Sequence, residues 1–101
     1  MPTAYITAPP DSADELATGL VEQRLAACVN RVACDSTYRW QGEIHDDEEV
    51  ILLAKTTDDR YDDLVSYVTE HHPYDVPCVE RFEERDVLDA FADWRTASVG
   101  D

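Results

Sequence analysis

Ala26-Ala27-Cys28-Val29-Asn30-Arg31-Val32, then Ser36-Thr37-Tyr38-Arg39-Trp40-Gln41-Gly42-Glu43, then Val50-Ile51-Leu52-Leu53-Ala54-Lys55-Thr56 is the stretch that decides the fold. It reads as one long β-hairpin turning near Gln41-Gly42. The first arm, roughly Ala27 to Trp40, would measure about 45 Å if unbent, against typical strands of about five or six residues. A domain of this length has a radius of gyration of about 13 Å. The arm is therefore expected to project beyond its own core or to bend at a bulge, with the polar run Ala33-Cys34-Asp35-Ser36 as the place for the bend. Tyr38 and Trp40 occupy alternate positions past that point and share a face. An overhanging aromatic ribbon needs cover, and a second subunit is the natural cover. In the return arm, Val50 to Ala54 is apolar without alternation, as in a central strand covered on both faces.

Upstream, Ala4-Tyr5-Ile6-Thr7-Ala8 is a short β-type run closed by Pro9-Pro10. Ser12 and Glu15 have capping-box spacing, and Ala13, Leu16, Ala17, Leu20 and Val21 form a helical apolar stripe expected to end around Arg24. Gly19 costs that helix a little. Downstream, Thr56 or Thr57 can cap a second helix that carries Tyr61, Leu64, Val65 and Val68. His71-His72 lie at its end and Pro73 stops it. A linker, Pro73 to Pro77, leads to a fourth strand, Cys78 to Phe82. Asp86 can cap a third helix with Val87, Leu88, Phe91 and Trp94, and Thr96 to Asp101 is expected to fray. The order is β-α-β-β-α-β plus a C-terminal helix. This is an α+β, ferredoxin-like arrangement: an antiparallel sheet with two helices on one face. Residues 1–101 are read as a single domain.

The chain has 101 residues, 23 acidic against 8 basic, and a formal net charge of −15; Lys55 is the sole lysine. Such a surface repels phosphates, so nucleic acid and anionic membranes are not expected as partners. Self-repulsion of this size is screened at molar salt, where the Debye length falls to about 3 Å. A salty, halophile-type cytoplasm is therefore expected. The longest apolar run, Val50 to Ala54, is far short of a membrane span. Met1-Pro2-Thr3 lacks the basic, apolar start of a signal peptide, which also points to the cytoplasm. Three cysteines, Cys28, Cys34 and Cys78, do not suggest a disulfide framework.

Several pieces together resemble one family: Glu22 to Asn30, Tyr38 to Gly42, Lys55-Thr56-Thr57, His72 to Pro77, and Trp94 in the last helix. Their order and spacing are similar to those of CutA, the divalent-cation tolerance proteins. The resemblance implies a tight homotrimer whose long strands pair across subunits, and a link to copper and other divalent metals. It also implies a likeness to trimeric nitrogen-signalling proteins, which bind small effectors between subunits. The chain departs from the family at Cys78, where an acidic residue usually follows the proline, and at the highly charged Glu83-Glu84-Arg85-Asp86, which fits the acidic surface.

The expected metal ligands are Cys28, His72 and Cys78. Thiolate with imidazole suits Cu(I), Cu(II) or Zn, if the 73–77 linker folds back. The competing reading makes His72 a dipole-favouring helix end and the cysteines small core residues. Tyr38, Trp40 and Tyr74 are expected at the subunit interface. No Gly-rich phosphate loop, no EF-hand spacing in Asp46-Asp47-Glu48-Glu49 and no nucleophile–base constellation is visible, so no enzymatic activity is expected. The leading expectation is a homotrimer of copper tolerance that binds copper or another divalent ion and needs none to fold. The alternative is a small-effector sensor that signals to a partner protein.

Overall fold

The protein is described here by a computed structural model covering residues 1–100. Its elements are β1 (Pro2–Ala8), α1 (Pro10–Glu22), β2 (Cys28–Trp40), β3 (Glu43–Lys55), α2 (Tyr61–His71), β4 (Val79–Glu83) and α3 (Asp89–Ser98), with a 3-10 turn at Asp58–Arg60 before α2. The sheet order is β2-β3-β1-β4 and every pairing is antiparallel. That is the expected ferredoxin-like topology.

Side-chain alternation assigns the two faces of the sheet. Ala4, Ile6, Ala8, Leu52 and Ala54 point one way and pack under Leu16, Ala17, Leu20, Leu64 and Val68 of α1 and α2. The opposite face carries Tyr5, Thr7, Ile51 and Leu53 from the central strands, none of them fully buried. Val50 to Ala54 is thus sealed on the helix side only. Gly19 is needed where the helices cross: a Cβ there would lie 1.9 Å from the Tyr67 hydroxyl.

β2 and β3 pair in one uninterrupted register from Cys28↔Lys55 to Trp40↔Glu43. The bend expected at Ala33–Ser36 is absent, because the polar side chains there alternate outward without breaking the ladder. β1 pairs with β3 only from Val50 to Lys55, so Glu43 to Glu49 and the β2 residues facing them form a free two-stranded ribbon. The molecule is accordingly elongated, 45 × 25 × 19 Å. Gln41 (φ 51) and Gly42 (φ 82) make the tip, the paired positive φ of a two-residue type I′ turn.

The helix starts differ from expectation. α1 begins at Pro10, with Pro9 as its cap and no side-chain capping bond, so Ser12 and Glu15 form no capping box. Proline already sets the first helical φ and lacks the amide a cap would satisfy. The helix ends in a Schellman motif: Arg24 has φ 58, and Leu25 N–H reaches Leu20 O at 2.9 Å. α3 starts at Asp89 rather than after Asp86. The tail is tied down through Gly100, whose N–H donates to Arg24 O at 2.9 Å; Asp101 lies outside the described residues.

α3 is pinned at the sheet end away from the ribbon by Arg95, only 1% exposed. Its guanidinium donates to Thr56 O (2.8 Å), to Pro2 O and to Glu84 Oε1 (2.8 Å), and Thr3 Oγ1 also donates to that Glu84 oxygen. Glu84 was expected to belong to the solvated acidic surface. It is instead the counter-charge of a buried arginine. Burial raises the Glu84 pKa, but hydrogen bonds from Thr3 and Arg95 outweigh this and hold it below the usual carboxylate range.

Candidate functional site

The open sheet face, the ribbon from Ser36 to Trp40 and the linker after α2 border an open cavity of about 680 Å³. Tyr5 and Thr7 contribute from β1, Tyr38 and Trp40 from β2, His45 and Glu49 from β3, and Tyr74 and Cys78 from the linker. Strand alternation explains the gathering. Tyr38 and Trp40 lie on the same face as Glu49, Tyr5 and Thr7, and the chain leaves α2 at His72 to arch across that face.

His72 sets the path of the arch. It is 7% exposed, and its Nε2 lies 2.8 Å from the Thr7 carbonyl oxygen. Tyr74 N–H donates to its Nδ1 at 3.1 Å. One nitrogen accepts and the other faces an acceptor, so the ring is the Nε2–H tautomer and both positions are taken. Tyr74 then donates its hydroxyl to Glu49 Oε2 at 3.1 Å. Burial first, then the Glu49 carboxylate, push the Tyr74 phenol far above its ordinary pKa, so it stays a neutral donor. Tyr38 stacks on His45, with centroids 5.5 Å apart, and donates to Asp47, which raises its own pKa.

The expected metal trio does not assemble. Cys28 pairs with Lys55 at the α3 end of the sheet, whereas His72 and Cys78 sit at the Thr7 end. With both nitrogens engaged, His72 has no lone pair to offer. Cys78 is half-buried; burial is the main cause that pushes its thiol pKa up, which disfavours the thiolate a metal would need. Its Sγ lies 3.7 Å from Glu80 Oε1. Among the described residues no three His, Cys, Asp or Glu side chains are grouped to hold a metal ion. Within the single chain the described residues do not fit a resident copper.

The three aromatics expected at an interface, Tyr38, Trp40 and Tyr74, all line the cavity. Trp40 remains 42% exposed. Glu49 closes the acid run Asp46 to Glu49, yet it is 5% exposed. A sign of this was available in the sequence. At a period of two, Glu49 shares its face with Ile51 and Leu53, not with Asp46 and Glu48. Tyr5 and Thr7 carried no comparable signal, since only strand order sets β1 beside this part of β3.

Known proteins share this framework. The family model described as CutA1 divalent ion tolerance protein matches residues 3–98. The divalent-cation tolerance protein CutA of Thermus thermophilus is 41% identical over 97 residues, 94% of this chain and 94% of that protein. A CutA homolog from Xenopus laevis is 45% identical over 75 residues, 72% of this chain; the match spans only 50% of the Xenopus protein. Among solved structures, CutA1 from Pyrococcus horikoshii superposes with a TM-score of 0.95 at 32% identity, with 100% of each chain covered. The structure described as PII-like protein CutA from Nostoc sp. PCC 7120 in apo form gives 0.95 at 29%, covering 99% and 98%. The family model and the Thermus relative are named for tolerance of divalent cations. From its sheet order, its long hairpin and its match from residue 3 to residue 98, the chain belongs to the CutA1 divalent ion tolerance family.

Proposed function

We propose that the protein serves divalent-cation tolerance in the cytoplasm as a non-enzymatic homotrimer, and that its working site is the cavity beneath the ribbon. A small effector bound there would meet Tyr74 and so act on the 73–78 linker, the segment through which a partner protein could read occupancy. The observation that carries this reading is the convergence of Tyr38, Trp40, Tyr74 and the buried Glu49 on one cavity of about 680 Å³. That volume lies within the usual range for small-molecule sites, about 300–1,000 Å³. The cavity opens on the sheet face that this chain's own helices leave uncovered, where further copies would complete it. Sedimentation and ligand-dependent melting test both halves together. A trimer stabilised by a metabolite, with the gain lost in Trp40→Ala, is the expected result; a stable monomer would defeat the assembly.

A second reading keeps copper as a direct ligand. Cys28 and Cys34 both lie on the open sheet face, so thiols from different copies could complete a soft-metal site that one protomer lacks. Copper titration of wild type against Cys28→Ser, Cys34→Ser and Cys78→Ser separates the readings. Equal copper affinity in all four proteins would end this one.

A further inference from the structure

We propose that the cavity takes an organic cation, a small amine or quaternary ammonium whose charge rests against Glu49 and whose apolar groups meet the rings of Tyr38, Trp40 and Tyr74. This rests on the reading of the cavity as an effector site and adds the chemical class of the effector. With 23 acidic residues in the chain, acids on a rim carry no information: exposed carboxylates are solvated and cost nothing. Glu49 is different. It is 5% exposed; its Oε2 accepts from Tyr74, while its Oε1 receives no hydrogen bond from any described residue. Oε1 stays open to the cavity, and a largely buried carboxylate with one open oxygen favours a positive partner there.

The chain provides no fixed one. The cavity wall contains no lysine and no arginine, and His45, stacked on Tyr38, is the only lining group able to carry positive charge. The nearby arginines are engaged elsewhere or point away. Arg31 binds Asp14 at 3.1 Å, Arg81 pairs with Asp58 and Glu83, and Arg39 alternates onto the other face of the ribbon. An anionic ligand such as a nucleotide would find Glu49, Asp75 and Glu80 without a cation to meet its phosphates, and no lining glycine to open a backbone cradle. A hard metal ion would find too few oxygens; aromatic walls suit it poorly. Ring faces do attract organic ammonium groups, most strongly when water is excluded. Contacts of this desolvated kind also persist at high salt, where surface charge is screened.

Calorimetric titration in molar KCl, with the protein in its assembled form, tests the class. The probes are choline, butylammonium, the uncharged choline isostere 3,3-dimethylbutan-1-ol, ATP and copper(II). Choline or butylammonium is expected to bind at least about tenfold more tightly than the neutral isostere, since the charge supplies the difference. Glu49→Gln is expected to erase that preference, and Trp40→Ala to weaken cation and isostere alike. Equal binding of choline and its isostere by the wild-type protein would overturn the proposal, whether or not Glu49→Gln folds. ATP binding in the absence of amine binding would overturn it while leaving the effector site intact. A cavity that binds none of these probes, with Trp40 already shielded by another copy, would end both.

Discussion

The two halves of the β2–β3 hairpin use the same ladder and the same register, yet they are held by different means. In the lower half, Leu52 and Ala54 are fully buried under α1 and α2, and β1 completes the sheet. In the upper half, Glu43 to Glu49 pair with β2 alone, and the helix-side positions are Asp35, Thr37, Arg39, Ile44, Asp46 and Glu48. A two-stranded ribbon is at best marginally stable in water. Register alone therefore does not stabilise a strand; a second layer does. The lower half has its layer within the chain. The upper half has aromatics and a cavity where a layer, a ligand or both would sit.

Amide exchange gives the sharpest test of that difference. Core amides should exchange only on global unfolding, at a cost of about 5–15 kcal/mol, while a bare ribbon opens at almost none. If copies of the chain cover the ribbon, amides at Ser36, Tyr38, His45 and Asp47, which bond across the ladder, should approach the protection of Ile6 and Leu52. Ribbon exchange faster by about a thousandfold in the assembled protein would break the threefold proposal. The next effect lies wholly in the lower half. Arg95→Ala strips a donor from two carbonyls and leaves Glu84 without its counter-charge, and should cost about 3–5 kcal/mol in denaturant unfolding. An unchanged midpoint would mean that α3 is not held by this network.

Gly42→Ala probes the ribbon's tip. A side chain at φ 82 costs about 1–2 kcal/mol, with nothing within 4 Å of the new Cβ to complicate the reading. Because the tip is remote from the core, the loss should appear in ribbon exchange more than in global stability. The smallest effect is pH-dependent. The folded Glu84 pKa is lowered, so its stabilisation is complete above the unfolded value of about 4.3 and fades as pH falls through the lower folded value. Glu84→Gln should flatten the acid limb of the melting curve. An acid limb identical to wild type would show that other carboxylates set it. Salt should act broadly: with a net charge of −15, the melting temperature should rise from dilute buffer to molar KCl.

Alternation and helical periodicity are local properties, and they made the strands, the helices, the long hairpin and the Gln41-Gly42 tip legible in the sequence. Ala33–Ser36 suggests a bend because polar residues look like a ladder's end when only their neighbours in sequence are considered; across the strand Cys34, Asp35 and Ser36 face Glu49, Glu48 and Asp47 in unbroken pairing. The sequence leaves His72 open between metal ligand and helix end; two backbone partners, one of them distant Thr7, occupy both of its nitrogens in the fold.

By itself, then, the sequence determined the order of elements, the acidic character and the family. Alternation hints at the face Glu49 takes, but only tertiary structure decided what the carboxylates of Glu49 and Glu84 meet. Glu49 and Glu84 look like their exposed neighbours until strand order gives one the Tyr74 hydroxyl and the other Arg95. The reason is physical: burial and pairing depend on groups far away in the chain, and no local pattern encodes what the fold will lay beside a carboxylate.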